Sequence, residues 1–135
     1  MAYLLDTSVL AELRKQTCNL GVVEWMSSIE PDEIHLSALT IGELRFGIEL
    51  RRREGPKTVA ALERWLLGLE RDYAERILPI TAAIADRWGR LSVDKPLPIA
   101  EGLIAATGIE HKLVVVTDNP DAFRRSGVNT FNPFS

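Results

Sequence analysis

With 135 residues, 46% of them hydrophobic and 26% charged, the chain has the length and composition of one ordinary globular domain. Its net charge of −3 excludes nucleic-acid binding through bulk positive charge, and no apolar run approaches the length of a membrane span. A single cysteine, Cys18, excludes an intramolecular disulfide and a thiolate zinc cluster and reads as an idle thiol. No basic segment followed by an apolar one opens the sequence, so the expected location is the cytoplasm.

Tyr3-Leu4-Leu5 reads as a first strand, stopping on Asp6-Thr7-Ser8 before helical spacing runs from Val9 to Lys15. Asp, Thr and Ser are helix N-caps, so a structural role is one reading of this junction. Asn19 caps a second helix carrying Val22, Val23 and Met26, and Glu30-Pro31-Asp32 is a turn. Glu33 to Ser37 alternates as a half-buried strand, followed by a helix from Ile41 to Arg53 that Gly55-Pro56 closes. Thr58 to Tyr73 is amphipathic, with Val59, Leu62, Trp65, Leu66 and Leu69 on one face.

Arg76 to Ile80 is a short strand whose proline places it at an end or edge. Helices follow from Ala82 to Leu91 and from Ile99 to Ile109, with Pro96 and Pro98 between them. Lys112 to Thr117 reads as the clearest strand, apolar on the consecutive positions Leu113 to Val116 as a central parallel strand is. The loop DNPDAF and a last strand near Thr130 complete a βα alternation that predicts an α/β fold around a parallel sheet. Right-handed crossovers then bring strand ends of one polarity to one edge.

The acids fall at those ends. Asp6 follows the first strand, Glu43 and Glu101 lie in the first turns of helices, and Asp118 and Asp121 follow the strand ending at Thr117. Each has a structural alternative: Thr40 and Glu43 match a capping box, Glu101 complements a helix dipole, and Asp118 and Asp121 suit a turn. Together on one edge they repel one another unless a cation intervenes, and oxygen-only ligands without His or Cys suit Mg²⁺ or Mn²⁺. His35 and His111 read as structural. Arg45, Arg51, Arg52, Arg53 and Lys57 cluster near one helix end and Arg124 and Arg125 near the C-terminus; such clusters are most often solvated faces, and they permit a locally held RNA without announcing one.

YLLDTSVLAELRK, LSALTIGELRFGIE, RILPIT with ADRWGRL, LPIAEGLIAATGIEHKLVVVTDN and GVNTFNPF cover nearly the whole chain. In these stretches it resembles the PIN-domain ribonucleases, specifically the FitB-like branch of the VapC-like toxins of type II toxin–antitoxin modules. The resemblance implies one PIN domain over residues 1–135, a three-layer α/β/α sandwich with a central parallel sheet. It also implies an acidic pocket for Mg²⁺ or Mn²⁺. Asp6 and Glu43 match the family's first two acids. Glu101 stands where the family usually has the shorter Asp, and Ala122 stands at the position of its usual fourth acid. Asp121, one residue earlier, is the preferred substitute, with Asp118 the other candidate.

The expected activity is metal-dependent hydrolysis of an RNA phosphodiester. Asp6, Glu43, Glu101 and Asp121 or Asp118 hold the metal, and Thr7, Ser8, Thr117 or Arg45 position water, carboxylates or RNA. The resemblance further implies a homodimer silenced by a cognate VapB/FitA-like antitoxin, which reaches DNA on the toxin's behalf. The alternative is a catalytically impaired PIN protein that binds RNA or a partner without cleavage. A phospho-acceptor receiver domain needs paired acids after its first strand and a late strand-end lysine, and both are missing here.

Overall fold

The computed structural model describes every residue except Pro56, Thr58 and Lys95. Five strands, β1 (Tyr3–Leu5), β2 (Ile34–Ser37), β3 (Ile77–Leu78), β4 (Val114–Val116) and β5 (Thr130–Phe131), form one sheet in the order β3-β2-β1-β4-β5. Every pairing is parallel. Six helices connect them: α1 (Thr7–Leu13), α2 (Leu20–Ser28), α3 (Ala38–Glu54), α4 (Val59–Asp72), α5 (Ala82–Asp94) and α6 (Ile99–His111).

Alternation along the strands divides the core. Leu5, Ile34, Leu36 and Val116 are buried on one face against Val9, Leu10 and Val22 of α1 and α2, with Ile41 and Leu44 of α3 and Trp65 and Leu69 of α4 around them. Leu4 and Val115 point the other way, into a cluster with Ile104 and Ala105 of α6 and with Phe123. Helix α5 then packs on α6. The result is the predicted α/β/α sandwich.

The order of the strands positions the site. From β1 the chain moves outward through β2 to β3, then crosses back to place β4 on the other side of β1. The carboxyl ends of β1 and β4 therefore flank the topological switch point, where open parallel sheets leave a crevice for ligands. Leu5 pairs with Val116, which sets Asp6 and Thr117 side by side just beyond the strands.

Most boundaries differ from sequence expectation by a few residues, for identifiable reasons. Helix α1 starts at Thr7 because Asp6 caps it. Helix α3 starts at Ala38, where the Ser37 hydroxyl accepts the Leu39 N–H at 3.0 Å, so Thr40 lies inside the helix. Its end at Glu54 is followed by an extended Gly55, not a left-handed one; Pro56, the other half of the expected stop, lies outside the described residues, as does Thr58, the expected start of α4. Pro31–Glu33 is a 3₁₀ turn, so β2 begins at Ile34. The loop after β4 contains a 3₁₀ segment, Pro120–Ser126.

Two helical glycines separate close packing from open surface. A Cβ on Gly102 of α6 would stand 2.7 Å from Trp88 Cδ1, whereas one on Gly89 of α5 meets nothing within 4 Å. Gly89→Ala is expected to stabilise the fold by about 0.5–1 kcal/mol. Gly102→Ala forces the indole aside and is expected to destabilise it by about 1–3 kcal/mol, both read from urea unfolding midpoints.

Candidate functional site

Asp6 is held from three directions. Its N–H donates to the Val116 carbonyl at 2.9 Å, extending the β1–β4 ladder one residue past the strand. Its Oδ1 accepts the Thr7 N–H at 2.9 Å, and its Oδ2 accepts the hydroxyls of Thr117 at 2.8 Å and Ser8 at 3.3 Å. Capping and presentation are thus one arrangement: the bond that starts α1 also fixes the carboxylate over the sheet edge. Burial pushes the Asp6 carboxyl above its ordinary 3.8, while bonds from Thr117, Thr7 and Ser8 pull it back and the Asp118 charge adds to the rise.

A cavity of about 260 Å³ opens over this carboxylate. Glu43, Glu101 and Asp118 line it with Asp6, each from a different element. Ala100, Ile104, Ala122 and Phe123 supply apolar wall. Thr7 links two of the acids' elements, since its hydroxyl donates to Glu43 Oε1 at 2.7 Å and lies 3.3 Å from Thr40 Oγ1. The Thr40–Glu43 capping box is therefore not formed: Thr40 is fully buried inside α3, and Glu43 turns to α1 instead. Glu101 enters from the first turn of α6, whose N-cap, Pro98, offers no side-chain cap.

Of the two candidate fourth acids, the structure brings Asp118 to the pocket and leaves Asp121 outside. Asp121 is 74% exposed and ion-paired with Arg124. The 3₁₀ geometry accounts for this, because residues three apart eclipse: Phe123 turns inward while Asp121 and Arg124 share the outer face. Arg45 is likewise not brought to the pocket; it bonds Glu49 at 3.2 Å and Glu63 at 2.6 Å across α3 and α4. His35 and His111 do not line it either. Sequence reasoning missed Asn119, a pocket residue whose N–H donates to Thr117 Oγ1 at 3.1 Å, because it sits in a motif already read as a turn.

Every ionisable side chain lining the cavity is a carboxylate. That donor set fits a hard divalent cation, which takes oxygen ligands. Among the described residues no three acids are placed to hold one ion directly.

The PIN domain family model matches residues 3–128. Toxin FitB of Neisseria gonorrhoeae is 35% identical over 97% of this chain and 97% of its own. VapC ribonuclease Y4jK of Sinorhizobium fredii is 31% identical over 96% of each. Among solved structures, FitAB bound to an IR36 DNA fragment superposes with a TM-score of 0.84 at 29% identity, covering 98% of this chain and 96% of that one.

A half-buried carboxylate facing other acids costs the fold stability once ionised. Because the folded Asp6 holds its proton more tightly than the unfolded chain does, this cost sets in as pH rises from 3.8 through the raised folded value and persists above it. Asp6→Asn is expected to raise the melting temperature at pH 7 in EDTA, with the gain shrinking towards zero below pH 3.8 in a thermal-melt series.

Proposed function

The chain belongs to the PIN-domain family as a ribonuclease of the VapC and FitB toxin type, and on that footing we propose how its pocket works. The observation that carries the proposal is the convergence of Asp6, Glu43, Glu101 and Asp118 on one cavity at the switch point, with no cationic side chain among them. Residues 1–135 then act as a single PIN domain. The nucleases of this family are generally divalent-metal dependent, and here Mg²⁺ or Mn²⁺ is the cation. Asp6 is its anchor, with Glu43 and Glu101 as direct or water-mediated ligands and Asp118 as the fourth acid.

Held by these carboxylates, a cation of this kind would supply charge neutralisation at an RNA phosphate and a more acidic water. The protein's own groups prepare that event. Thr117 and Ser8 hold Asp6 Oδ2, and Thr7 holds Glu43, so two carboxylates are oriented before substrate arrives. Glu101 is free to orient water through its carboxylate. Ile104 of α6 and Phe123 of the 3₁₀ segment give the pocket its apolar wall.

An acidic pocket without its own cation also accepts a guanidinium from a small protein. This supports neutralisation by a cognate antitoxin, and the similar FitAB is known bound to DNA. DNA contact in this system then belongs to the antitoxin, the toxin acts as a homodimer, and its place is the cytoplasm. No helix among the described residues is long and apolar enough to cross a membrane.

Single-turnover cleavage of a structured RNA tests the reading. Activity is expected with Mg²⁺ or Mn²⁺ and not with EDTA. Asp6→Asn is expected to slow cleavage at least roughly a hundredfold. Thr117→Val, which frees Asp6 without removing it, is expected to cost about 10- to 100-fold. Equal inactivity of wild type and Asp6→Asn, with RNA still bound, would replace this reading by that of a non-cleaving PIN protein.

A further inference from the structure

A second groove meets the acidic pocket at Glu43, which lines both. It runs between α1, α3 and α4 and encloses about 200 Å³, with Leu44, Ile48, Leu62 and Trp65 providing apolar surface. Arg14, at the end of α1, and Arg51, in the last turns of α3, stand on it. Both are exposed, and neither guanidinium is hydrogen-bonded or ion-paired to a described residue. Their neighbours differ: Arg45 and Arg52 are both engaged by Glu49 and Glu63. Within the α3 cluster Arg45 and Arg52 are thus already neutralised, whereas Arg51 faces the groove without an ion-pair partner among the described residues.

We propose that this groove carries the single-stranded RNA flanking the scissile phosphate, with Arg14 and Arg51 contacting its phosphates. The inference rests on the ribonuclease reading above and names the substrate path to that site. The argument is charge complementarity. A polyanion laid over four carboxylates is repelled there, and a chain with net charge −3 has no general field to offset it. Unpaired guanidinia beside the pocket supply that attraction locally, and Arg is suited to phosphate by its planar fork. The apolar floor with Trp65 accepts base faces without reading sequence. Gly47 keeps the path open: it lines the groove, and a Cβ there would meet nothing within 4 Å.

The test uses fluorescence anisotropy with a short fluorescein-labelled single-stranded RNA of mixed sequence. Binding is measured on the Asp6→Asn background with Mg²⁺ so that nothing is cut, across a salt series. Adding Arg14→Gln and Arg51→Gln together is expected to weaken binding roughly tenfold at 0.1 M salt. The slope of log affinity against log salt should become shallower by about 0.7 per guanidinium. Gly47→Leu, which fills the groove without altering charge and favours the helix, should weaken binding with the slope kept. Arg90→Gln, removing a charge paired with Asp86 on α5, is the control and should change little.

In otherwise wild-type protein, the two arginine substitutions should raise KM for cleavage and leave kcat nearly unchanged. Active wild type with unaltered KM, affinity and slope in the arginine and Gly47 variants would overturn this path alone and leave the groove to a protein partner. Wild type that neither binds nor cuts RNA would overturn both this inference and the function it rests on.

Discussion

The hydrogen bond from the Thr117 hydroxyl to Asp6 Oδ2 joins the two strands on either side of the switch point. It depends on register: only because Leu5 pairs with Val116 do the next residues of β1 and β4 meet. A one-residue slip would turn Leu4 and Leu5 to the wrong faces and separate the pair. The packing that buries Leu4 on one side and Leu5 on the other therefore also places the carboxylate. Core and site are specified by the same alternation.

Around that bond, short hydroxyl side chains do what basic ones do in most buried carboxylate sites. Thr117, Ser8 and Thr7 hold acids by donating hydrogen bonds and leave the negative charge uncancelled. A lysine or arginine in their place would neutralise the pocket permanently. The arrangement keeps the site anionic, which suits both an exchangeable cation and an inhibitor's guanidinium. The cations are placed one groove away, on α1 and α3, where they do not close the pocket.

Much of this was legible in the sequence. The βα alternation gives the parallel sheet, and acids at strand ends and first helical turns give the pocket, because strand polarity fixes which loops share an edge. The misplacements have local causes. Ser37 outcompetes Thr40 as the α3 cap by standing at the true strand end, which releases Glu43 to Thr7. Asp121 and Asp118 are not separable by spacing alone, since the choice is made by which side of a 3₁₀ turn faces Phe123's packing. Arg45 looks free in sequence, but Glu63, eighteen residues later, takes it once α4 folds back on α3. Non-local ion pairs of this kind have no signature in a single sequence.

The central claim is that carboxylates from four elements form one cation site anchored on Asp6. A crystal of the protein soaked in Mn²⁺, with an anomalous-difference map recorded above the manganese edge, addresses it most directly. The account predicts a peak in the cavity over the β1 and β4 ends, within direct ligand distance of an Asp6 carboxylate oxygen. A strong peak elsewhere, with that cavity blank in crystals of cleavage-competent protein, would contradict it.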